Sequence, residues 1–302
     1  MTSTPEAGLL ARPSAWRTVL GVLRQGVLPK RLRRHRAGMV GLAITSAFIL
    51  ISLFGPFLAP YDPVKINISA RLETPSAQYI LGTDELGRDI LSRLLTGARI
   101  TLGVSTLAVA IGLVVGTALG VTAGYFRGKI DMAVVFMTSV LLAMPGFLLA
   151  MALVAILGVG LQNVAFGVAV WMVPQFALLS RGATLAVREM DHVLAARSLG
   201  ARHLRILLVH VLPSTFAPLT VLTTLRLASA ILTVSGLSFL GLGAQPPTPE
   251  WGYMIATARE FIFAAPYAIF FPGLAIMLAV YGFNLLGDGL RDTLDPRLRG
   301  TT

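Results

Sequence analysis

One short stretch, residues 82–99, concentrates charged side chains of both signs. It contains acids and arginines close enough in sequence to pair with one another or with another molecule, namely Asp84, Glu85, Arg88, Asp89 and Arg93. Two interpretations fit this pattern. Either these side chains contact a partner protein, or they satisfy one another on an amphipathic helix whose leucines and Ile90 pack inward. We take the first as the working prediction.

A second candidate is a single charge inside an apolar stretch. Arg226 lies between two long segments that have no other charged residue. A charge in such a segment is costly and normally faces protein or water. Arg226 is therefore a candidate for a pathway residue that meets a substrate carboxylate. The alternative is a packing or gating arginine bonded to backbone carbonyls or to an acid of a partner chain.

Catalytic and metal-binding patterns are missing from the sequence. The chain has no cysteine, which removes thiol nucleophiles, thiolate metal sites and disulfides. Its four histidines form no His-Glu-x-x-His motif, and no serine lies in a Gly-x-Ser-x-Gly turn. The segment 124–130 resembles a phosphate loop, but it is one residue short and has Ile130 where magnesium needs a hydroxyl. We expect no enzyme activity, metal site or nucleotide site in this chain.

The composition indicates what must position these residues. Of 302 residues, 55% are hydrophobic and 13% are charged, and the mean hydropathy is +0.76. A soluble domain has about 25% charged residues. Because a membrane-spanning helix needs about 20 apolar residues, the long uncharged stretches predict six spans, at about 38–59, 100–124, 132–157, 162–180, 216–241 and 265–287.

The basic residues predict the orientation of these spans. Eighteen lysines and arginines lie on the side of the two termini and six on the opposite side. Positive charge marks the cytoplasmic side, so both termini are predicted to be cytoplasmic. The net charge of +11 then needs no nucleic-acid partner. The predicted parts are a basic tail 1–36, a membrane domain 37–290 and a tail 291–302, with an external segment 61–99, a cytoplasmic loop 181–215 and an external loop 243–264.

Two features predict how the spans are shaped and packed. Glycines recur every four residues in the second span, at Gly112, Gly116, Gly120 and Gly124. This spacing leaves one helix face without side chains, so that another backbone can approach closely. In the third span, Met144-Pro145 predicts a kink, because proline lacks a backbone N–H.

The cytoplasmic loop is the most informative segment. A short helix with small residues is predicted around Ala195 and Ala196, with Val193, Ala196 and Leu199 on one face that enters a groove of a partner protein. Gly200 permits the helix to end and the chain to turn. An amphipathic stretch then leads to Pro213 and the fifth span. The alternative is a connecting hairpin that lies on the inner leaflet.

This loop resembles the EAA loop of permease subunits in bacterial ABC importers. The family pattern is Glu-Ala-Ala, three residues, Gly, and after about nine residues Leu-Pro; here Ala195, Ala196, Gly200, Leu212 and Pro213 match it. Leu194 occupies the position of the glutamate, so a salt bridge made by that glutamate is not carried over. Glu189 and Asp191 are the nearby acids.

Further motifs are similar to those of the second permease subunit of dipeptide, oligopeptide and nickel importers. They are Leu81–Arg99, Ser238–Gly243 followed by Pro249-Glu250-Trp251-Gly252, and Asp295-Pro296-Arg297. Together with the loop they cover nearly the whole chain from residue 37. One departure is Val234, which stands where many relatives have glutamate.

The resemblance implies an all-α integral membrane protein with six transmembrane helices, the type I ABC importer permease fold, in the bacterial inner membrane. It further implies a homologous second permease, two ATPase domains or subunits that bind ATP and magnesium, and an extracytoplasmic substrate-binding protein. ATP-driven movement of the coupling loop would switch the pore between its two open states. The residues expected to couple to the ATPases are Asp191, Val193, Leu194, Ala195, Ala196, Leu199, Gly200, Ala201, His203 and Pro213.

Among substrates, dipeptides or short oligopeptides are preferred to nickel, because the spans offer no histidine or methionine cluster for a soft metal. A nickel or other solute importer of the same family is the first alternative. A self-sufficient secondary transporter would predict paired acids within the spans or an inverted repeat, and the sequence shows neither. A membrane enzyme would need the catalytic motifs that are missing.

Overall fold

A computed structural model describes residues 35–294 of the chain. The basic tail, most of the C-terminal tail and the Asp295-Pro296-Arg297 motif therefore lie outside the described residues. Within them every regular element is helical: α1 Arg36–Leu58, α2 Ile90–Phe126, α3 Gly128–Leu142, α4 Gly146–Leu157, α5 Leu161–Arg188, α6 Asp191–Ser198, α7 His203–Ile206, a π-helical turn Leu207–Val211, α8 Leu212–Phe239, α9 Trp251–Ala258 and α10 Tyr267–Leu294.

Five helical stretches in the described part are long and apolar enough to cross a membrane, and the bent pair α3–α4 counts as a sixth if it crosses as one span. Each of the six predicted spans therefore coincides with helical structure. Helix α2 begins at Ile90, about ten residues before the predicted start. The reason is an N-terminal cap: the Asp89 carboxylate accepts a hydrogen bond from the Ser92 backbone N–H at 2.8 Å.

The third span is broken rather than gently kinked. Helices α3 and α4 meet at an angle of 90° across residues 143–145. Pro145 cannot donate to the preceding turn and disfavours a helical conformation in Met144. On the α4 side of the break, Gly146 lies so close to the indole of Trp171 that any side chain would overlap it. The predicted change of direction at Met144-Pro145 is therefore confirmed. It is a break between two helices rather than a kink within one helix.

The glycines of α2 pack against α5. A β-carbon added to Gly116 would lie 2.5 Å from the carbonyl oxygen of Val173, and one added to Gly124 would lie 2.8 Å from that of Arg181. Gly112 and Gly120 meet the same helix in the same way. This confirms the predicted close helix packing and assigns the glycine face to an interface within the chain. The largest buried apolar cluster lies beside it, formed by α2, α4, α5 and α8.

The predicted external loop 243–264 folds back onto the helices. Trp251, the first residue of α9, is 1% exposed, and its indole N–H donates to the carbonyl of Leu94 at 3.1 Å. The sequence predicts that this tryptophan belongs to an external loop, whereas in the fold its indole is buried between α2 and α9. Gly97 allows this contact, because a side chain there would overlap the Pro249 carbonyl and the Trp251 ring; Gly252 in the same way lets α9 approach the backbone of Ser235 in α8.

Candidate functional site

The short helix of the loop, α6, is held against the spans by one buried side chain. Val193 is 3% exposed and packs in a cluster with Val121 of α2, Val187 of α5, and Ile206 and Val211 of the returning chain. Burying a valine among apolar side chains contributes about 1.5 kcal/mol or more. The cluster therefore joins α6 to two spanning helices, so that α6 and those helices form one packed unit.

The opposite face of α6 is open. Its side chains recur at helical spacing and all are exposed: Asp191, Leu194, Ala195, Ser198 and Leu199. Leu199, the residue that ends the helix, is 87% exposed. The prediction that Val193, Ala196 and Leu199 share one partner-facing side is thus wrong for Val193 and for the half-buried Ala196, because burial in the cluster removes Val193 from water. Leu194 and Leu199 are the large apolar side chains that remain exposed beside Ala195.

Gly200 ends α6 as the sequence predicts. Its φ is +76°, a left-handed conformation that favours glycine. The Gly200 N–H donates to the carbonyl of Arg197 at 3.0 Å, and the Ala201 N–H donates to that of Ala196 at 3.1 Å. These two bonds form a Schellman motif, which satisfies the last carbonyls of the helix and turns the chain. The turn directs the chain into α7 and on to the buried Pro213, which lies in the first turn of α8.

Polar contacts add a second attachment between the loop and α2. The Arg188 guanidinium donates to the carbonyl of Tyr125 at 2.7 Å, at the last turn of α2. The Tyr125 hydroxyl in turn lies 2.8 Å from Nδ1 of His203 at the start of α7. Glu189 pairs with Arg188 at 3.0 Å and with Arg127 at 3.5 Å. Of the two nearby acids, Glu189 is thus engaged within the chain, and Asp191 is exposed on the open face of α6.

The charged stretch at the other end of the spans folds onto itself. The Asp84 carboxylate accepts from Nε of Arg88 at 2.7 Å and lies 3.3 Å from Nε of Arg93, and Arg88 also pairs with Glu85 at 2.9 Å. Asp84, Arg88, Asp89 and Arg93 are all buried, at 1–6% exposure. These four side chains are therefore not available for the predicted external contact, because Asp84 pairs with Arg88 and Arg93, and Asp89 caps α2, beneath the surface.

Glu85 is the member of this group that retains surface. It lines an open depression beside Arg259 and Glu260, next to the end of α8. Partial burial, and next the neighbouring Asp84 carboxylate, raise the pKa of Glu85 above its ordinary value. The prediction of an external contact stays a prediction for this one residue.

Arg226 lies in the middle of α8 and is half-buried. Its Nε is enclosed and finds no hydrogen-bond partner among residues 35–294. The guanidinium thus retains an unused donor inside a spanning helix. Its assignment to the pathway stays a prediction.

Sequence reasoning missed the role of Glu250. This carboxylate is fully buried at the start of α9 and joins three elements: it accepts from the Tyr253 N–H at 2.8 Å, from the Thr101 hydroxyl of α2 at 3.1 Å and from the Ser235 hydroxyl of α8 at 3.4 Å. Burial is the main cause that raises the pKa of Glu250 above its ordinary value. An acid directly before the apolar run 251–258 is the N-cap signal that would have identified it.

Comparison with family models gives two matches that together cover most of the chain. Residues 116–300 match the model described as binding-protein-dependent transport system inner membrane component. Residues 28–75 match the N-terminal transmembrane domain of oligopeptide transport permease C. The first match includes the coupling loop and the second includes α1.

Individual relatives are similar over nearly their full length. The chain is 46% identical over 270 residues to a dipeptide transport system permease protein of Alkalihalophilus pseudofirmus, covering 89% of each chain. It is also 46% identical to glutathione transport system permease proteins of Pectobacterium atrosepticum, over 89% of each chain, and of Escherichia coli, over 90% of each chain. Among solved structures, a chain of the inward-facing MetNI methionine ABC transporter has a similar fold, with a TM-score of 0.53, 19% identity, and coverage of 67% of this chain and 96% of that chain.

Proposed function

Because this chain belongs to the family of binding-protein-dependent transport system inner membrane components, we propose that it is the ABC importer permease subunit that carries dipeptides or short oligopeptides across the bacterial inner membrane. The observation that carries the substrate class is the 46% identity, over 89% of the chain, to permeases named for dipeptide and glutathione transport. The orientation follows from the basic residues, with the coupling loop on the cytoplasmic side.

The energy for transport comes from partner ATPases, which bind the ATP and magnesium. They dock on the exposed face of α6, where Leu194 and Leu199 present apolar surface beside Asp191. Val193 transmits their movement to α2 and α5 through the buried cluster. A homologous second permease completes the pore, and a binding protein outside the membrane delivers the substrate.

Arg226 supplies a positive charge to the substrate inside the membrane. Its enclosed, unused Nε donor in the described structure supports this role, because a peptide carboxylate accepts such a bond readily. Replacing Arg226 with Gln should raise the KM for peptide uptake more than replacing it with Lys, which keeps the charge. Equal KM values for R226Q and the unchanged chain would remove Arg226 from the pathway.

The experiment that tests the function is uptake by the reconstituted complex. The chain is placed in liposomes with its partner permease, its ATPases and its binding protein, and labelled dipeptide uptake is measured with and without ATP. We expect uptake that requires ATP, the ATPases and the binding protein together.

Two results would contradict the proposal. Uptake by the chain alone, without any ATPase, would assign it to the secondary transporters. ATP-dependent uptake of a nickel complex, with no competition from dipeptides, would show that the chain is an importer permease for a different substrate. A complex with the ATPase subunits omitted is the matched control for both.

A further inference from the structure

A groove of about 680 Å³ runs along the chain between α2 and the segment formed by α7, the π-helical turn and the first half of α8. Its volume lies within the range of about 300–1,000 Å³ that is usual for small-molecule sites. Leucines and valines form most of its walls, and five threonines also line it: Thr117, Thr122, Thr220, Thr223 and Thr224.

Packing closes the groove at one end. Beyond Thr224, helix α8 packs in a buried cluster that includes Val109 of α2, and Ala230 and Val234 of α8. The groove therefore lies between this seal and the coupling loop. The side of the groove is open along its length: Val114, near the packed end, is 68% exposed, and Leu204, at the loop end, is 66% exposed.

The coupling loop itself forms one wall. Leu204 of α7 and Leu208 of the π-helical turn line the groove, and both follow α6 directly in the chain. One wall of the groove is therefore continuous in the chain with α6.

The hydroxyl groups on α8 are arranged to accept hydrogen bonds. Thr220, Thr223 and Thr224 each donate their proton to a carbonyl one turn earlier in the same helix, at 2.7–2.9 Å. A hydroxyl that donates in this way keeps its oxygen lone pairs free to accept. The α8 wall thus offers acceptors and no free donor from these three residues.

Thr117 on the facing helix differs from them. It is only 9% exposed, and its hydroxyl has no hydrogen-bond partner anywhere in the described part of the chain. An unpaired buried hydroxyl costs about 1–3 kcal/mol, so a partner is expected from outside the chain. Because the Thr117 hydroxyl is unengaged, it can both donate and accept.

This combination has a definite chemical preference. Acceptors on one wall, a free donor on the other and apolar surface between them suit a secondary amide, which has one N–H and one C=O between aliphatic groups. None of the residues that line the groove in the described structure is charged. The site therefore suits the peptide bond and an apolar side chain of a ligand rather than its charged ends.

We propose that this groove is a binding site in the transport pathway, where the threonine hydroxyls hold the peptide bond of the transported molecule. The inference rests on the proposed peptide substrate and deepens it, because it assigns substrate contact to α2 and α8. The two alternatives are that a helix of the second permease or a lipid chain covers the groove. The experiment below distinguishes both from a bound peptide.

The sequence makes one test direct, since the chain has no cysteine. Single variants Thr223→Cys and Val114→Cys place a thiol in the groove, and Phe57→Cys, at an 83% exposed position on α1, is the control outside it. The full reconstituted complex is treated with a charged, water-soluble maleimide, with and without ATP and vanadate, and with and without saturating dipeptide.

We expect both groove thiols to react in one nucleotide state and dipeptide to slow that reaction about tenfold, with no effect of dipeptide on Phe57→Cys. A groove covered by the second permease or by lipid would leave both thiols unreactive in every state, which would overturn the proposal. So would labelling that dipeptide does not change. If dipeptide uptake by the unchanged complex persists in either case, the groove assignment alone fails; if ATP-dependent dipeptide uptake is absent, the proposed function fails.

A second measurement does not depend on cysteine variants. Thr117→Val keeps the shape of the side chain and removes the hydroxyl, whereas Thr117→Ser keeps the hydroxyl. If the hydroxyl binds substrate, T117V raises the KM for dipeptide uptake roughly two- to tenfold, the worth of one hydrogen bond, and T117S restores it. An unchanged KM in T117V would show that the hydroxyl does not contact substrate.

Discussion

The hydroxyl of Tyr125 and Nδ1 of His203 lie 2.8 Å apart, which joins the last turn of a spanning helix to the chain that follows the coupling helix. The contact sits on the surface, beside the Arg188 guanidinium that holds the Tyr125 carbonyl. Helix α2 is thus attached to the loop on both sides of α6. The loop is therefore held to α2 by a hydrogen bond as well as by the buried Val193.

Removing this hydrogen bond should weaken transport more than folding. In Tyr125→Phe we expect the rate of dipeptide uptake to fall roughly two- to tenfold, since a net hydrogen bond contributes about 0.5–1.5 kcal/mol. The melting temperature should change little, because the pair is exposed. Uptake and thermal unfolding are measured on the same preparation, and an unchanged uptake rate would show that the hydrogen bond transmits nothing.

The two faces of α6 should respond differently to substitution. Leu199→Ser changes an 87% exposed side chain and should leave the thermal stability unchanged while it weakens binding of the ATPase subunits. Val193→Ala opens a cavity in the cluster and should lower the stability itself. The measurements are the melting temperature and the fraction of ATPase that co-purifies with the chain. Full ATPase recovery with L199S would place the docking surface elsewhere.

Gly200 allows a comparison with a second glycine of the same region. A residue other than glycine at its φ of +76° is strained by about 1–2 kcal/mol, so Gly200→Ala should shift α6 and reduce the ATPase activity stimulated by substrate. Gly182 lies within α5 with open space around it, and Gly182→Ala should be neutral or slightly stabilising. Equal behaviour of the two variants would contradict the turn assigned to Gly200.

The glycine face of α2 offers a similar pair. Gly116→Ala places a methyl group 2.5 Å from the Val173 carbonyl oxygen, and overpacking of this kind costs roughly 1–3 kcal/mol. Gly103 lies in the same helix with nothing within 4 Å of an added β-carbon, so Gly103→Ala should keep or slightly raise the melting temperature. The prediction fails if thermal unfolding in detergent ranks the two variants the other way.

Glu250 predicts a dependence of stability on pH. Because its folded-state pKa is raised, mainly by burial, the folded chain holds the proton more tightly than the unfolded chain does. Stability is therefore highest below the ordinary pKa of a glutamate and falls as pH rises from that value through the raised folded pKa. Replacing Glu250 with Gln should remove this contribution. Melting temperatures across that range test it, and identical pH slopes for E250Q and the unchanged chain would refute it.

The sequence by itself determined the membrane class, the six helical spans, the break near Met144-Pro145 and the family. Each depends on local patterns: the length of an uncharged run, the missing N–H of a proline, or the spacing of motif residues. The turn at Gly200 was likewise predictable. A helix that ends with one residue in the left-handed conformation favours glycine there, whatever the helix packs against.

Only the tertiary structure decided which side chains face inward. From the sequence, Asp84, Arg88 and Arg93 are expected to be surface charges. In the fold, Asp84 pairs with both arginines beneath the surface. Trp251 and Glu250 read as parts of an external loop, and they fill the space between α2, α8 and α9. Burial of this kind depends on contacts between residues up to about 150 positions apart, which no local pattern encodes. The groove proposed as a binding site exists for the same reason, since Thr117 and Thr223 line one groove only because α2 and α8 approach each other.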